Sequence, residues 1–508
     1  MSQDYASLIS ACDTDIRAGQ AQQVARRLAE LNTARVPRAW RLPLANVCRR
    51  ASLYSLGLTL LVRVVHPRRG DPSEPATPQE IAEYSVLLLR SGALNEALLT
   101  LKKVDEKQVP EVLLYRAFAH FSLWEFPSAV NGLERYVNAP IAPYAQLVGR
   151  VNLAYAYVEC GMHDQARRLL DENIGFTKAN GHFRLQSNCH SLRAQVHIAT
   201  GHYAKAKQDL ESAQQLLGTV STNDGLFITK WRLILDALEL GDAEPLARLK
   251  ALALQNRDWE AARESDFFSL KIDFQRPLFK HLLFGTPFPN YRARIHSELG
   301  RHSDLPYFLY GQEGAPILDI QSGRVDGELE NENARPLKAG RKCHQLIDVL
   351  LRDFYRPVNM GSLFSSLFPG EHFDIFSSPD RVYQILRRTR RWLKEARVPA
   401  TVNMSRGFYS LKLHGGFAFR IPLERDSVDC MNLHFQKLEA VLAAGTPFTA
   451  KSARTDLGMS RRTLQRLLTW AIERGKIERL GANKIETQYR IVPKNDASIL
   501  NLRIVRGA

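Results

Sequence analysis

Apolar residues recur three and four positions apart along most of residues 1–300, with few alternating stretches among them. That spacing gathers them on one face of a helix, so it predicts helix after helix and little strand. One motif returns within this region: an apolar helix, a tight turn, then a second helix carrying a small alanine. Its copies are residues 83–97, 115–129, 153–166 and 192–206, with a weaker fifth around Gly241 and Ala247. Glycine stands at three of the turns (Gly92, Gly161, Gly201), and the alanines Ala97, Ala129, Ala166, Ala206 and Ala247 are 32, 37, 40 and 41 residues apart. Glycine permits the tight turn and alanine lets two helices approach closely, so the recurrence predicts stacked helix pairs. Residues 1–66 add one or two irregular pairs. The proline-rich run from His66 onward reads as a loop, and Thr77-Pro78-Gln79-Glu80 as the cap of the next helix.

This motif resembles the tetratricopeptide repeat in a degenerate form with lengthened loops, as in the helical sensor modules of bacterial regulators. The alternative is a plain helical bundle with alanines at the crossings. The resemblance implies a groove that holds a protein, a peptide or a small ligand.

The pattern changes near residue 300. Residues 315–325 read as strand, turn and strand, with short extended pieces running to Pro336. Helices follow over 343–352, 359–368 and 379–396, and a β-hairpin over 400–413 with Arg406-Gly407 at its tip. On the third helix Val382, Leu386, Thr389 and Leu393 share one face and should be core. Gln384, Arg387, Arg388 and Arg391 then face outward. Arginine bridges guanine O6 and N7 or grips phosphate, and glutamine pairs with adenine. Gln384, Arg387 and Arg391 are therefore assigned to a DNA groove, and Arg388, Lys394 and Arg406 to phosphates. The alternative is a solvated arginine face. Tyr355-Arg-Pro-Val-Asn-Met-Gly-Ser-Leu, Val382 to Leu393 and Arg406-Gly-Phe-Tyr-Ser-Leu411 together resemble the winged-helix effector domain of OmpR/PhoB-type response regulators, over about one fifth of the chain. Thr389 stands where that family has leucine, Phe408 where it has glycine, and Phe368 where it has tryptophan.

A second such unit spans 431–492. Three helices are expected, over 433–442, 448–458 and 459–475, then a two-stranded wing with its tip at 481–483. Leu464, Leu467, Leu468 and Ile472 form the expected buried stripe. Ser460 is placed to cap the third helix. Arg461, Arg462, Thr463, Gln465 and Arg466 project from its first turns, where base edges are reached, and Lys484 sits by the wing tip. The string from Leu457 to Leu468, with Gly475-Lys-Ile-Glu-Arg and Tyr489-Arg-Ile, resembles general bacterial winged helix-turn-helix regulators. The same fold also serves protein contacts.

Composition sharpens this picture. The 508 residues carry a formal charge of +16. Residues 341–412 hold 13 Lys and Arg against 6 Asp and Glu, and residues 431–492 hold 11 against 5, so nearly all the surplus lies in the two basic units. A surplus concentrated there points to a polyanion. The six cysteines are scattered without a Cys-x-x-Cys pair, which argues against zinc and a disulfide framework. His190, His197 and His202 are better explained by a repeat loop than by a metal site. No phosphate loop, dinucleotide fingerprint or hydrolase motif is present, so no enzyme, cofactor or metal is expected. No signal-peptide or membrane-spanning run occurs, which reads as a cytoplasmic protein.

The expected fold class is mainly α: an N-terminal α-solenoid over 1–300, then two small α+β winged-helix domains over 315–413 and 431–492. The expected function is a sequence-specific transcription regulator that binds double-stranded DNA, at two half-sites if it forms a homodimer. The alternatives are a protein-interaction scaffold and a tandem winged-helix replication or partition factor.

Overall fold

Helix pairs fill the first three hundred residues. The structure, a computed structural model, describes residues 4–17, 20–67, 74–218, 223–326, 337–425, 428, 430–480 and 487–492. The fold is mainly α, an array of helix pairs followed by small α+β elements. Two pairs precede residue 66: Tyr5–Arg17 with Ala21–Leu28, and Arg38–Arg50 with Tyr54–Val65. The motif then runs through Pro78–Arg90 with Leu94–Leu101, Glu111–Ser122 with Phe126–Val137, Pro143–Glu159 with His163–Ala179, and Phe183–Ala199 with Tyr203–Leu217. From Arg38–Arg50 onward each of these helices packs on the next in chain order, while Arg38–Arg50 itself packs back on Tyr5–Arg17.

The local signals act as expected. Thr77 and Glu80 form a reciprocal capping box, side chain to backbone in both directions, at the start of Pro78–Arg90. Ala97, Ala129, Ala166 and Ala206 are all buried at the helix crossings. The second copy turns on Trp124 (φ 57°) where the others use glycine. The fifth copy departs from the motif. Ala247 is exposed, and Pro245, Leu246, Leu249 and Ala253 form the buried stripe of Glu244–Asn256, so the motif is out of phase there.

The strands in chain order are β1 (Tyr307–Gly311), β2 (Ile317–Asp319), β3 (Val325–Asp326), β4 (Val358–Asn359), β5 (Ala400–Ser405), β6 (Phe408–Leu413), β7 (Ala418–Pro422), β8 (Pro447–Thr449), β9 (Ile477–Leu480) and β10 (Gln488–Ile491). They form sheets ordered β1-β7-β2-β3, β4-β6-β5 and β8-β10-β9. β2 and β3 are the expected strand-turn-strand, but their sheet is completed by β1 and β7, which lie outside residues 315–413. β7 pairs antiparallel with β1 and parallel with β2.

Contacts divide the chain into two units that do not follow chain order. The first comprises Met1–Leu305, Val349–Arg387 and Val402–Lys412. The second comprises Pro306–Asp348, Arg388–Thr401 and Leu413–Ala508. The division falls within the helix Ser378–Glu395. In the second unit, Cys430–Val441, Ala450–Leu457 and Arg461–Glu473 close over Leu438, Phe448, Leu464, Leu467 and Leu468, beneath β8-β10-β9.

Candidate functional site

The helix Ser378–Glu395 sorts its residues by face. Val382, Ile385, Leu386, Thr389, Trp392 and Leu393 are buried. Gln384, Arg387, Arg388, Arg391 and Lys394 are exposed and recur at three- and four-residue spacing, so they share the opposite face. Among the described residues, none of those four cations is in an ion pair. Arg381 is different. It makes a two-pronged pair with Glu371, at 2.5 and 3.1 Å, and its guanidinium lies 3.9 Å from the Phe368 ring centre. It therefore anchors the preceding loop.

The hairpin β5–β6 turns through Arg406 and Gly407, with φ of 48° and 82°. Two consecutive positive φ values suit a tight two-residue hairpin turn, although arginine is an uncommon residue there. Arg406 is exposed and borders a cleft of about 350 Å³ shared with Leu254, Arg257, Trp259, Pro357 and Phe408. The Arg257 guanidinium lies 5.8 Å from the Phe408 ring centre. This tip thus stands beside the helical array.

On Arg461–Glu473, the Ser460 side chain accepts the N–H of Thr463 at 3.1 Å, which is the expected cap. Arg461, Arg462, Gln465 and Arg466 are exposed. Thr463 is half-buried, and its hydroxyl bonds to that of Ser460 at 2.9 Å, so it is less available than its neighbours. Ile472 is 39% exposed, and Ala471 takes the buried position in its place. Ala471 lies seven residues after Leu464, two full turns, which keeps it on the core face. Lys484 and the wing tip 481–483 lie outside the described residues.

Residues 349–387 dock against the helical array through specific contacts that no local pattern of residues announces. Arg263 has no exposed side chain. It donates to Asp353 at 2.6 Å and to Glu260 at 2.5 Å. Burial pulls its pKa down, but the two carboxylates outweigh this and raise it. The Tyr355 hydroxyl donates to Asp266 at 2.8 Å, and the Phe354 N–H to the Gly285 carbonyl at 3.0 Å. Further on, the Ser362 hydroxyl donates to the Gly92 carbonyl at 3.0 Å. Gly361 approaches so closely that a Cβ there would lie 2.3 Å from the Ser91 carbonyl oxygen. Glu96 accepts the Phe373 N–H at 2.8 Å through one oxygen and sits 2.6 Å from His372 Nδ1 through the other. His372 stacks on His66, with ring centres 3.7 Å apart. Burial first, and then the neighbouring His372, push the His66 pKa down to about 4, so the ring is neutral near pH 7.

Beside these contacts the array encloses a cavity of about 230 Å³ lined by Trp124, Tyr155, Glu159, Gln195, Lys230 and Trp231. Gln195 Oε1 and Trp231 Nε1 have no hydrogen-bond partner among the described residues. The histidines singled out from the sequence lie elsewhere. His190 and His197 are on a helix, not in a loop, and both face Asp209, which Arg193 grips at 2.6 and 2.9 Å.

No family model matches the chain, and no curated protein matches it. Among solved structures, a tetratricopeptide repeat protein from Parabacteroides merdae is 14% identical. It matches over 55% of this chain and 96% of that chain, with a TM-score of 0.31. No helix among the described residues is long and apolar enough to cross a membrane.

Proposed function

We propose that this chain is a DNA-binding regulator that reads duplex DNA through two winged helices, residues 315–413 and 431–492. The observation that carries this reading is the face of Ser378–Glu395, where Gln384, Arg387, Arg388, Arg391 and Lys394 are exposed and the four cations are unpaired among the described residues. A folded protein with no polyanion to bind gains little from such a face, because like charges repel along the helix. The capped, arginine-rich start of Arg461–Glu473 supports the same reading for the second unit, since a helix N-terminus attracts phosphate. In this reading Arg387, Arg391, Arg461 and Arg462 reach base edges, while Arg388, Lys394 and Arg406 hold phosphates.

The experiment is a salt titration of duplex binding by the full chain. Each phosphate contact lowers the logarithm of affinity with the logarithm of salt by about 0.9, so a steep slope is expected. Arg388→Ala should reduce that slope by about 1. A flat slope in the wild-type protein would overturn the reading.

A second reading, a protein-interaction scaffold, is favoured by one observation. The helical array holds polypeptide, namely residues 349–387, through the side-chain pair of Arg263 with Asp353 and through bonds between side chain and backbone in both directions, Ser362 to the Gly92 carbonyl and the Phe373 N–H to Glu96. Retention of a protein partner with no duplex binding at moderate salt would favour it.

A further inference from the structure

We propose that His66, Glu96 and His372 form a binding site for one divalent transition-metal ion of the zinc class, tying residues 369–377 to the helical array. The three residues come from separate parts of the chain. His66 follows Tyr54–Val65, Glu96 lies in the first turn of Leu94–Leu101, and His372 lies in the loop after Met360–Leu367. One nitrogen of each imidazole and one oxygen of the carboxylate lie within 4.8 Å of one another, and no other group of three or more such residues meets that condition among the described residues. Two histidines and a glutamate are a donor set that zinc accepts, with the fourth position left to water. Tetrahedral zinc with bonds near 2.0–2.1 Å places its donors about 3.3 Å apart, so binding an ion requires the 2.6 Å His372–Glu96 contact to open and the two stacked rings to turn their nitrogens toward one point.

Two further observations point to a ligand. His66 Nε2 is buried and has no hydrogen-bond partner among the described residues. Glu96 is already oriented from outside the cluster, because its second oxygen accepts the Phe373 N–H at 2.8 Å. Outer contacts of this kind fix the direction of a ligating carboxylate. The Tyr84 hydroxyl lies 3.4 Å from His372 Nδ1, the same atom that faces Glu96 at 2.6 Å. A metal here joins two side chains of the array to one from the docked segment. Its binding should therefore hold residues 349–387 in place.

The test uses the full chain, stripped with a chelator and then dialysed against micromolar zinc, with cobalt as a visible probe. One equivalent of zinc per chain is expected, with a tetrahedral cobalt absorption band and a higher melting temperature on zinc addition. His66→Ala and His372→Ala should each lower affinity by about tenfold or more, since ligand and outer-contact changes act on that scale. Lys103→Ala, which removes a nearby exposed charge that is not a ligand, should keep one equivalent. Comparing metal-free melting temperatures shows whether each histidine variant is folded. Absence of stoichiometric zinc in the wild-type chain would overturn the proposal. Equal binding by the wild type and both folded histidine variants would overturn it too, as the ion would then sit elsewhere.

Discussion

Arg263 and Asp353 are 90 residues apart in the chain and 2.6 Å apart in the fold, and the arginine is wholly buried. The pair joins the helix Trp259–Ile272 to the segment that docks on the array. A buried cation without its partner is costly, so this contact specifies where the segment sits.

Removing the carboxylate should therefore be destabilising. Asp353→Ala leaves Arg263 with Glu260 as its remaining carboxylate and is expected to lose about 1–3 kcal/mol, the cost of an unmatched buried donor. Asp353 also accepts the N–H groups of Tyr355 and Arg356, at 2.9 and 3.0 Å. Asp353→Asn keeps an acceptor for that turn and should lose less. Urea denaturation followed by circular dichroism gives both values, and limited proteolysis within residues 349–387 reports release of the segment.

Thr389 offers a change in the opposite direction. It is fully buried on Ser378–Glu395, and its hydroxyl has no hydrogen-bond partner among the described residues. A buried unmatched polar group costs about 1–3 kcal/mol, and valine has nearly the same shape. Thr389→Val should raise stability by about 1–2 kcal/mol, read as a higher urea midpoint, while leaving the exposed arginine face unchanged.

Glu159 gives the array a pH dependence. Burial pushes its carboxyl up to about 7, against the pull of Arg294 at 3.6 Å and with a further push from Glu264. A carboxyl that binds its proton more tightly when folded stabilises the protein fully below its unfolded value of 4.5. It loses that contribution as pH rises through about 7. The wild-type chain should therefore lose up to about 3 kcal/mol between pH 4.5 and pH 8 from this group alone. Glu159→Gln should lose correspondingly less, in thermal melts taken across that range.

Where a signal was local, the sequence carried it. Val382, Leu386, Thr389 and Leu393 needed only helical spacing to be identified as core, and Ser460 and Thr77 needed only the chemistry of a cap. Ile472 was misplaced because two positions near the end of a helix compete for the core edge, and the smaller Ala471 occupies it. The docking of residues 349–387 left no local trace. Arg263 reads as an ordinary charge on an amphipathic helix, and Gly361 as an ordinary small residue. Their roles depend on Asp353 and Ser91, which no periodicity connects to them. The strands β1 and β7 were missed for the same reason, because their pairing spans more than a hundred residues.

The most direct test of the central claim is selection of random duplexes by the purified full chain at near-physiological salt, with Arg387→Ala and Arg462→Ala run in parallel. An enriched sequence is expected, with each substitution costing about 1–3 kcal/mol for that site and relaxing the preference at one position. No enrichment, or variants that keep full affinity and the same preferred site, would contradict it.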